Sequence, residues 1–190
     1  MTPRLSATDL ACRRGERLLF RGVSLELRPR EVVHVTGANG IGKSSLLRIL
    51  AGLLRPFAGT VQREGQVGLL DERSALDTML PLGKSLGFWR ALDATPPTNV
   101  PSYLEDLLDV PVRYLSTGQR KRAALARLSA QNADIWLLDE PLNGLDERGV
   151  SMVGAMVEGH CRADGICVLA SHQPFPLDGM RVLDLSEFAA

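Results

Sequence analysis

The chain predicts an α/β domain: a mainly parallel sheet core, an antiparallel β unit at its N-terminal end and a helical unit inserted in its middle. Three observations carry this. Strand-length apolar runs at Val32–Thr36, Val67–Leu70, Ile135–Leu138 and Ile166–Ala170 alternate with helical patterns, as parallel strands covered on both faces do. A glycine-rich loop, Gly37 to Ser44, joins the first of these runs to a helix. Val23, Leu25 and Leu27 alternate with Ser24 and Glu26, the period of a half-buried antiparallel strand. At 190 residues, one domain spanning 1–190 is expected.

The elements follow in order. Leu5 to Leu27 reads as short strands broken by a polar turn at Arg13-Arg14-Gly15-Glu16. A helix is expected over Ser44–Leu53, with Leu46, Leu47, Leu50 and Leu53 on one face and Gly52 and Pro56 as stop signals. Residues 71–130, approximately, read as the inserted helical unit. Leu104, Leu107 and Leu108 fall at helical spacing there, and Pro96–Pro101 reads as a loop. Arg120–Leu128 is a strong helix former, and a further helix is expected over Gly149–Arg162.

Composition narrows the function. The 22 basic and 22 acidic residues cancel, which gives no electrostatic reason to expect nucleic acid as a partner. Cys12, Cys161 and Cys167 lack zinc-site spacing and read as small buried or half-buried thiols in a reducing cytosol. No signal peptide is visible, and no apolar run approaches the ~18 residues of a membrane span. The expectation is a soluble chain, or one held at a membrane through a partner.

The chemistry lies in motifs. Gly37, Ala38, Asn39, Gly40, Ile41, Gly42, Lys43, Ser44 and Ser45 form a phosphate loop. Its glycines turn successive N–H groups inward at a helix N-terminus, Lys43 supplies a point charge, and Ser44 supplies a magnesium ligand. Asp139 ends an apolar strand and is a second magnesium ligand. Glu140 beside it is the general base or orienter of an attacking water. Leu115, Ser116, Thr117, Gly118 and Gln119 open a helix and form a second anion site. His172 follows a strand.

These five motifs, Gly37–Ser44, Leu115–Gln119, Ile135–Glu140, Leu145-Asp146 and Ser171-His172, lie in one fixed order along the chain. That order resembles the nucleotide-binding subunits of ATP-binding cassette (ABC) transporters, which are P-loop NTPases, over nearly the whole chain. The resemblance implies an ATP hydrolase with ATP and Mg²⁺ as ligands. It also implies that residues Leu115–Gln119 cap the γ-phosphate held by a second subunit, that His172 is a catalytic γ-phosphate sensor, and that Asp146 is a dimer contact. A head-to-tail homodimer with two composite sites follows. Two departures stand out. Arg14 or a neighbour occupies the place of the usual adenine-stacking aromatic. No glutamine follows Val67–Leu70; Arg73 falls at its position, and Glu72 or water is expected to complete the metal shell. Asn143 and Gly144 replace the usual Ser-Ala before Leu145-Asp146.

Compactness, Leu10-Ala11-Cys12, Leu86-Gly87-Phe88-Trp89 and Ser171-His172-Gln173-Pro174 resemble the haem-exporter branch that serves cytochrome c biogenesis. That resemblance implies a peripheral protein at the cytoplasmic face of a bacterial inner membrane. Its implied partners are the membrane subunit CcmB, with CcmC and CcmD, and ATP hydrolysis would release the haem-loaded chaperone CcmE. Haem binding by the chain itself is not expected: His34 and Cys12 read as strand residues. The alternatives are an ABC ATPase subunit for another cargo, a soluble non-transport ABC ATPase, or a nucleotide-gated module that no longer hydrolyses.

Overall fold

A computed structural model describes residues 2–72, 75–93 and 100–190. Arg73 and most of the Pro96–Pro101 loop lie outside the described residues. The chain opens with β1 (Arg4–Arg14) and β2 (Arg17–Leu27), then β3 (Val32–Thr36), α1 (Lys43–Leu50), β4 (Ala58–Glu64) and β5 (Val67–Leu70). Next come α2 (Leu82–Leu92), α3 (Ser102–Glu105), α4 (Thr117–Ala130), β6 (Ile135–Asp139), α5 (Glu147–Arg162), β7 (Ile166–Ala170) and β8 (Arg181–Asp184).

The strands form two sheets. β2-β1-β4 is antiparallel, and β5-β6-β7-β3-β8 is parallel at every pairing. β6 and β7 are buried along their whole length, which is why their sequences show no alternation. The parallel register places Val35 opposite Ala170 and Asp139 opposite Ala170. The C-terminal ends of β3, β6 and β7 therefore share one edge, the place where open parallel sheets bind ligands.

Three apolar clusters hold the layers together. The first lies between the two sheets and α1, with Leu46, Leu47, Ile49 and Leu50 fully buried; each such side chain is worth roughly 1.5–3 kcal/mol of burial. The second covers the opposite face of the parallel sheet with α4 and α5. The third, Leu76, Leu82, Leu86, Leu104, Val112, Leu115 and Ala123, forms the helical lobe. α4 serves two of them, giving Ala123 to the lobe and Leu125 and Leu128 to the sheet. Among the described residues no helix is long and apolar enough to cross a membrane.

Some boundaries differ from those read off the sequence. α1 ends at Leu50 rather than Leu53, because the Leu53 and Leu54 amides both return to the Arg48 carbonyl and Gly52 turns left-handed. α5 starts at Glu147 rather than Gly149, because the Asp146 side chain accepts from the Gly149 amide and caps it. β4 and β8 have no counterpart in the sequence reading. Both are edge strands with little apolar alternation and no fully buried side chain.

Candidate nucleotide site

The loop from β3 to α1 curls through Gly37, Gly40 and Gly42, all at positive φ (127°, 78° and 117°). Gly42 has a second reason to lack a side chain: a Cβ there would lie 3.0 Å from the Phe20 ring. The α1 N-terminus carries no acidic residue in its first turn, so no carboxylate of that turn competes for amides and a dipole suited to an anion. Lys43 is buried, and its Nζ donates to the Gly37 carbonyl (2.7 Å) and the Ala38 carbonyl (3.2 Å). The loop is thus held in shape by its own cation.

Asp139 stands at the end of β6, only 3% exposed. One of its carboxylate oxygens, Oδ1, is buried without a hydrogen-bond partner. Burial pushes its pKa up; a hydrogen bond from Ser44 opposes that, and Glu140 and Glu72 add to the rise. A buried, incompletely satisfied carboxylate beside a hydroxyl is an oxygen donor set suited to a hard divalent cation. Among the described residues no cluster of three or more His, Cys, Asp or Glu surrounds it. The Asp139 carboxylate and Ser44 hydroxyl are donors of the kind Mg²⁺ takes, one or two protein oxygens with the remaining positions filled by water and phosphate.

Glu140 and His172 meet directly: His172 Nδ1 donates to Glu140 Oε2 at 2.9 Å. The carboxylate accepts only, so Nδ1 is the donor in this contact. Glu140 also takes a left-handed backbone, φ 47°, uncommon for a residue with a side chain. Asn39, Gly40, Lys43, Ser44, Ser45, Glu72, Glu140, Asn143 and His172 line one open mouth of about 430 Å³. Asn143 carried no weight in the sequence reading, because it departs from the usual loop; its place at the mouth comes from the turn that follows β6.

The second anion motif is elsewhere. Ser116 caps α4, with its Oγ accepting from the Gln119 amide while Gln119 Oε1 accepts from the Ser116 amide. None of Leu115, Ser116, Thr117, Gly118 and Gln119 lines the mouth. Thr117 instead packs beside Gly144: a Cβ on Gly144 would meet the Thr117 methyl at 2.9 Å. Asp146 is paired with Arg122 of α4 as well as capping α5. Gly144 is therefore the residue that makes room for Thr117, which the sequence alone gave no means of seeing.

His34 and Cys12 are buried in strands, and His34 Nε2 donates to the Ser171 carbonyl at 3.2 Å. All three cysteines are buried and free. Arg14 is exposed at the tip of the β1–β2 hairpin, opposite Arg17.

Residues 20–143 match the ABC transporter family. The chain is 59% identical to the cytochrome c biogenesis ATP-binding export protein CcmA of Novosphingobium aromaticivorans, over 97% of this chain and 96% of that protein. It is 50% identical to the CcmA of Zymomonas mobilis, over 98% of this chain and 86% of that protein. In fold it is similar to a putative ABC transporter ATP-binding protein from Pyrococcus furiosus, with a TM-score of 0.84, 22% identity, and coverage of 98% and 100% of the two chains.

Proposed function

We propose that this chain, which belongs to the ABC transporter family and to its CcmA branch, is the ATP-hydrolysing subunit of a membrane complex for haem export in cytochrome c maturation. The observation that carries the hydrolytic reading is the convergence of Lys43, Ser44, Asp139, Glu140 and His172 on one sheet edge. The chain binds ATP at that edge. The loop amides and the Lys43 ammonium hold the β- and γ-phosphates, and Lys43 gives up its carbonyl partners to do so. Ser44 and Asp139, with Glu72 or water, would hold Mg²⁺, which supplies charge neutralisation across the phosphates when bound. Glu140 accepts a proton from the attacking water as its oxygen bonds to the γ-phosphorus and the bond to ADP breaks. General-base assistance of this kind contributes roughly 10²–10⁴-fold. His172 orients the Glu140 carboxylate and meets the γ-phosphate.

The site is completed by a second copy. Ser116, Thr117, Gly118 and Gln119 sit at a capped helix N-terminus away from the chain's own loop, so they serve the γ-phosphate on a partner subunit. Asp146 lies beside that contact. CcmB is the membrane subunit in this reading, with CcmC, CcmD and the chaperone CcmE in the same assembly, at the cytoplasmic face of the bacterial inner membrane. Arg14 is the candidate adenine contact; a guanidinium stacks on a base but buries less apolar area than an aromatic ring.

Tagged Glu140→Gln protein, isolated with ATP from detergent-solubilised membranes and identified by mass spectrometry, tests the assembly. It is expected to carry a CcmB-like permease and the haem chaperone. Recovery of a different permease assigns another cargo, and recovery of no membrane protein removes the transport reading.

A further inference from the structure

Lys121 lies on α4, five residues beyond Ser116 and outside every motif read above. Its ammonium is partly buried and donates to the main-chain carbonyl of Glu140 at 3.0 Å. We propose that Lys121 is a positioning residue for hydrolysis: from α4 it holds the left-handed backbone of Glu140 and so sets the direction of the Glu140 carboxylate. This rests on the reading of Glu140 as the general base.

The geometry around Glu140 carries the proposal. A residue with a side chain at φ 47° keeps that backbone only where its surroundings over-determine it. Four hydrogen bonds do so here. The Glu140 amide donates to the Ala170 carbonyl (2.8 Å). The Glu140 carbonyl accepts from Lys121 (3.0 Å) and from the Asn143 amide (3.3 Å). The carboxylate accepts from His172 (2.9 Å). Of these four, the Lys121 bond is the one that reaches Glu140 from the helical layer, and its cationic donor strengthens it. Burial lowers the pKa of Lys121, while the carboxylates of Asp139, Glu140, Glu72 and Asp71 oppose that fall. The same helix opens with the residues assigned to the partner's γ-phosphate.

The test is Mg-ATP turnover by the full chain, with ATP affinity and melting temperature alongside, in Lys121→Met, Lys121→Gln, Glu140→Gln and the Met/Gln double variant. Lys121→Met should lower kcat by roughly 10–100-fold, the scale of a small misplacement of a reacting group, with KM and ATP affinity unmoved. Lys121→Gln, neutral but still a donor, should recover part of that loss. In the Glu140→Gln background the Lys121→Met effect should vanish, because it acts through Glu140. Wild-type kcat in Lys121→Met overturns the proposal, as does an undiminished Lys121→Met effect in the double variant, or a Gln variant no better than Met. If Lys121→Met does not fold, Lys121→Gln runs the same cycle. Wild-type turnover in Glu140→Gln would instead overturn the reading of Glu140 itself.

Discussion

Asp139 is a buried carboxylate one of whose oxygens has no hydrogen-bond partner. A carboxyl whose pKa is raised by burial opposes folding at neutral pH, because the unfolded chain loses that proton more readily. Asp139→Asn should therefore raise the melting temperature of the nucleotide-free protein, by about 3 °C for ~1 kcal/mol in a chain of this size, while abolishing magnesium-dependent turnover. Differential scanning calorimetry and a phosphate-release assay on the same preparation read both. An unchanged or lower melting temperature would show that the site satisfies the charge. At this scale the sequence was most legible where chemistry sits in contiguous motifs: Lys43, Ser44, Asp139, Glu140 and His172 lie together at the C-terminal ends of β3, β6 and β7. It places Lys121 just after the Leu115–Gln119 motif without giving it a role, and it gives no sign of the Thr117–Gly144 contact. The partner of Lys121 is a main-chain carbonyl 19 residues away, and a carbonyl leaves no mark on residue identity.

Elements were legible in proportion to their burial. β6 and β7 announced themselves as apolar runs, and β3 as a β-branched run interrupted by His34, whereas the edge strands β4 and β8 lack fully buried side chains and gave no pattern. The connection between α5 and β7 adds a detail that only packing explains. His160 stacks flat on Trp136, with centroids 4.0 Å apart, and its Nε2 donates to the Ile166 carbonyl. Gly165 permits this, since a Cβ there would meet the ring at 2.3 Å. Burial pulls the His160 pKa below its ordinary value, and the bonds to Ile166 and Asp134 offset only part of that. The sign follows from proton counting. Below about pH 6.5 the unfolded chain binds a proton that the folded chain refuses. This contribution is full above that pH and is lost as the pH falls toward the folded value. His160→Phe should flatten the acid side of a melting-temperature profile between pH 7 and 5 relative to wild type. Parallel profiles would remove His160 as the cause.

At the scale of the whole molecule, the proposed function gives the chain two half-sites that a second copy would complete. The mouth beside Lys43 and the α4 N-terminus at Ser116 face different surroundings, and a symmetric pair supplies each with the other. Lys43→Ala and Ser116→Arg proteins should each be inactive alone and regain turnover on mixing, because a mixed dimer contains one intact site. No recovery in a mixture shown to exchange subunits would mean that each chain works by itself. The ammonium of Lys43, tied to its own loop, adds a kinetic consequence. Only the Lys43 side chain has to leave its two carbonyls for the phosphates, a rotamer step far faster than ordering a loop, so filling one subunit can run at the pace of molecular encounter. The timing of the cycle is then left to the meeting of two filled copies and to what the membrane partner does with it.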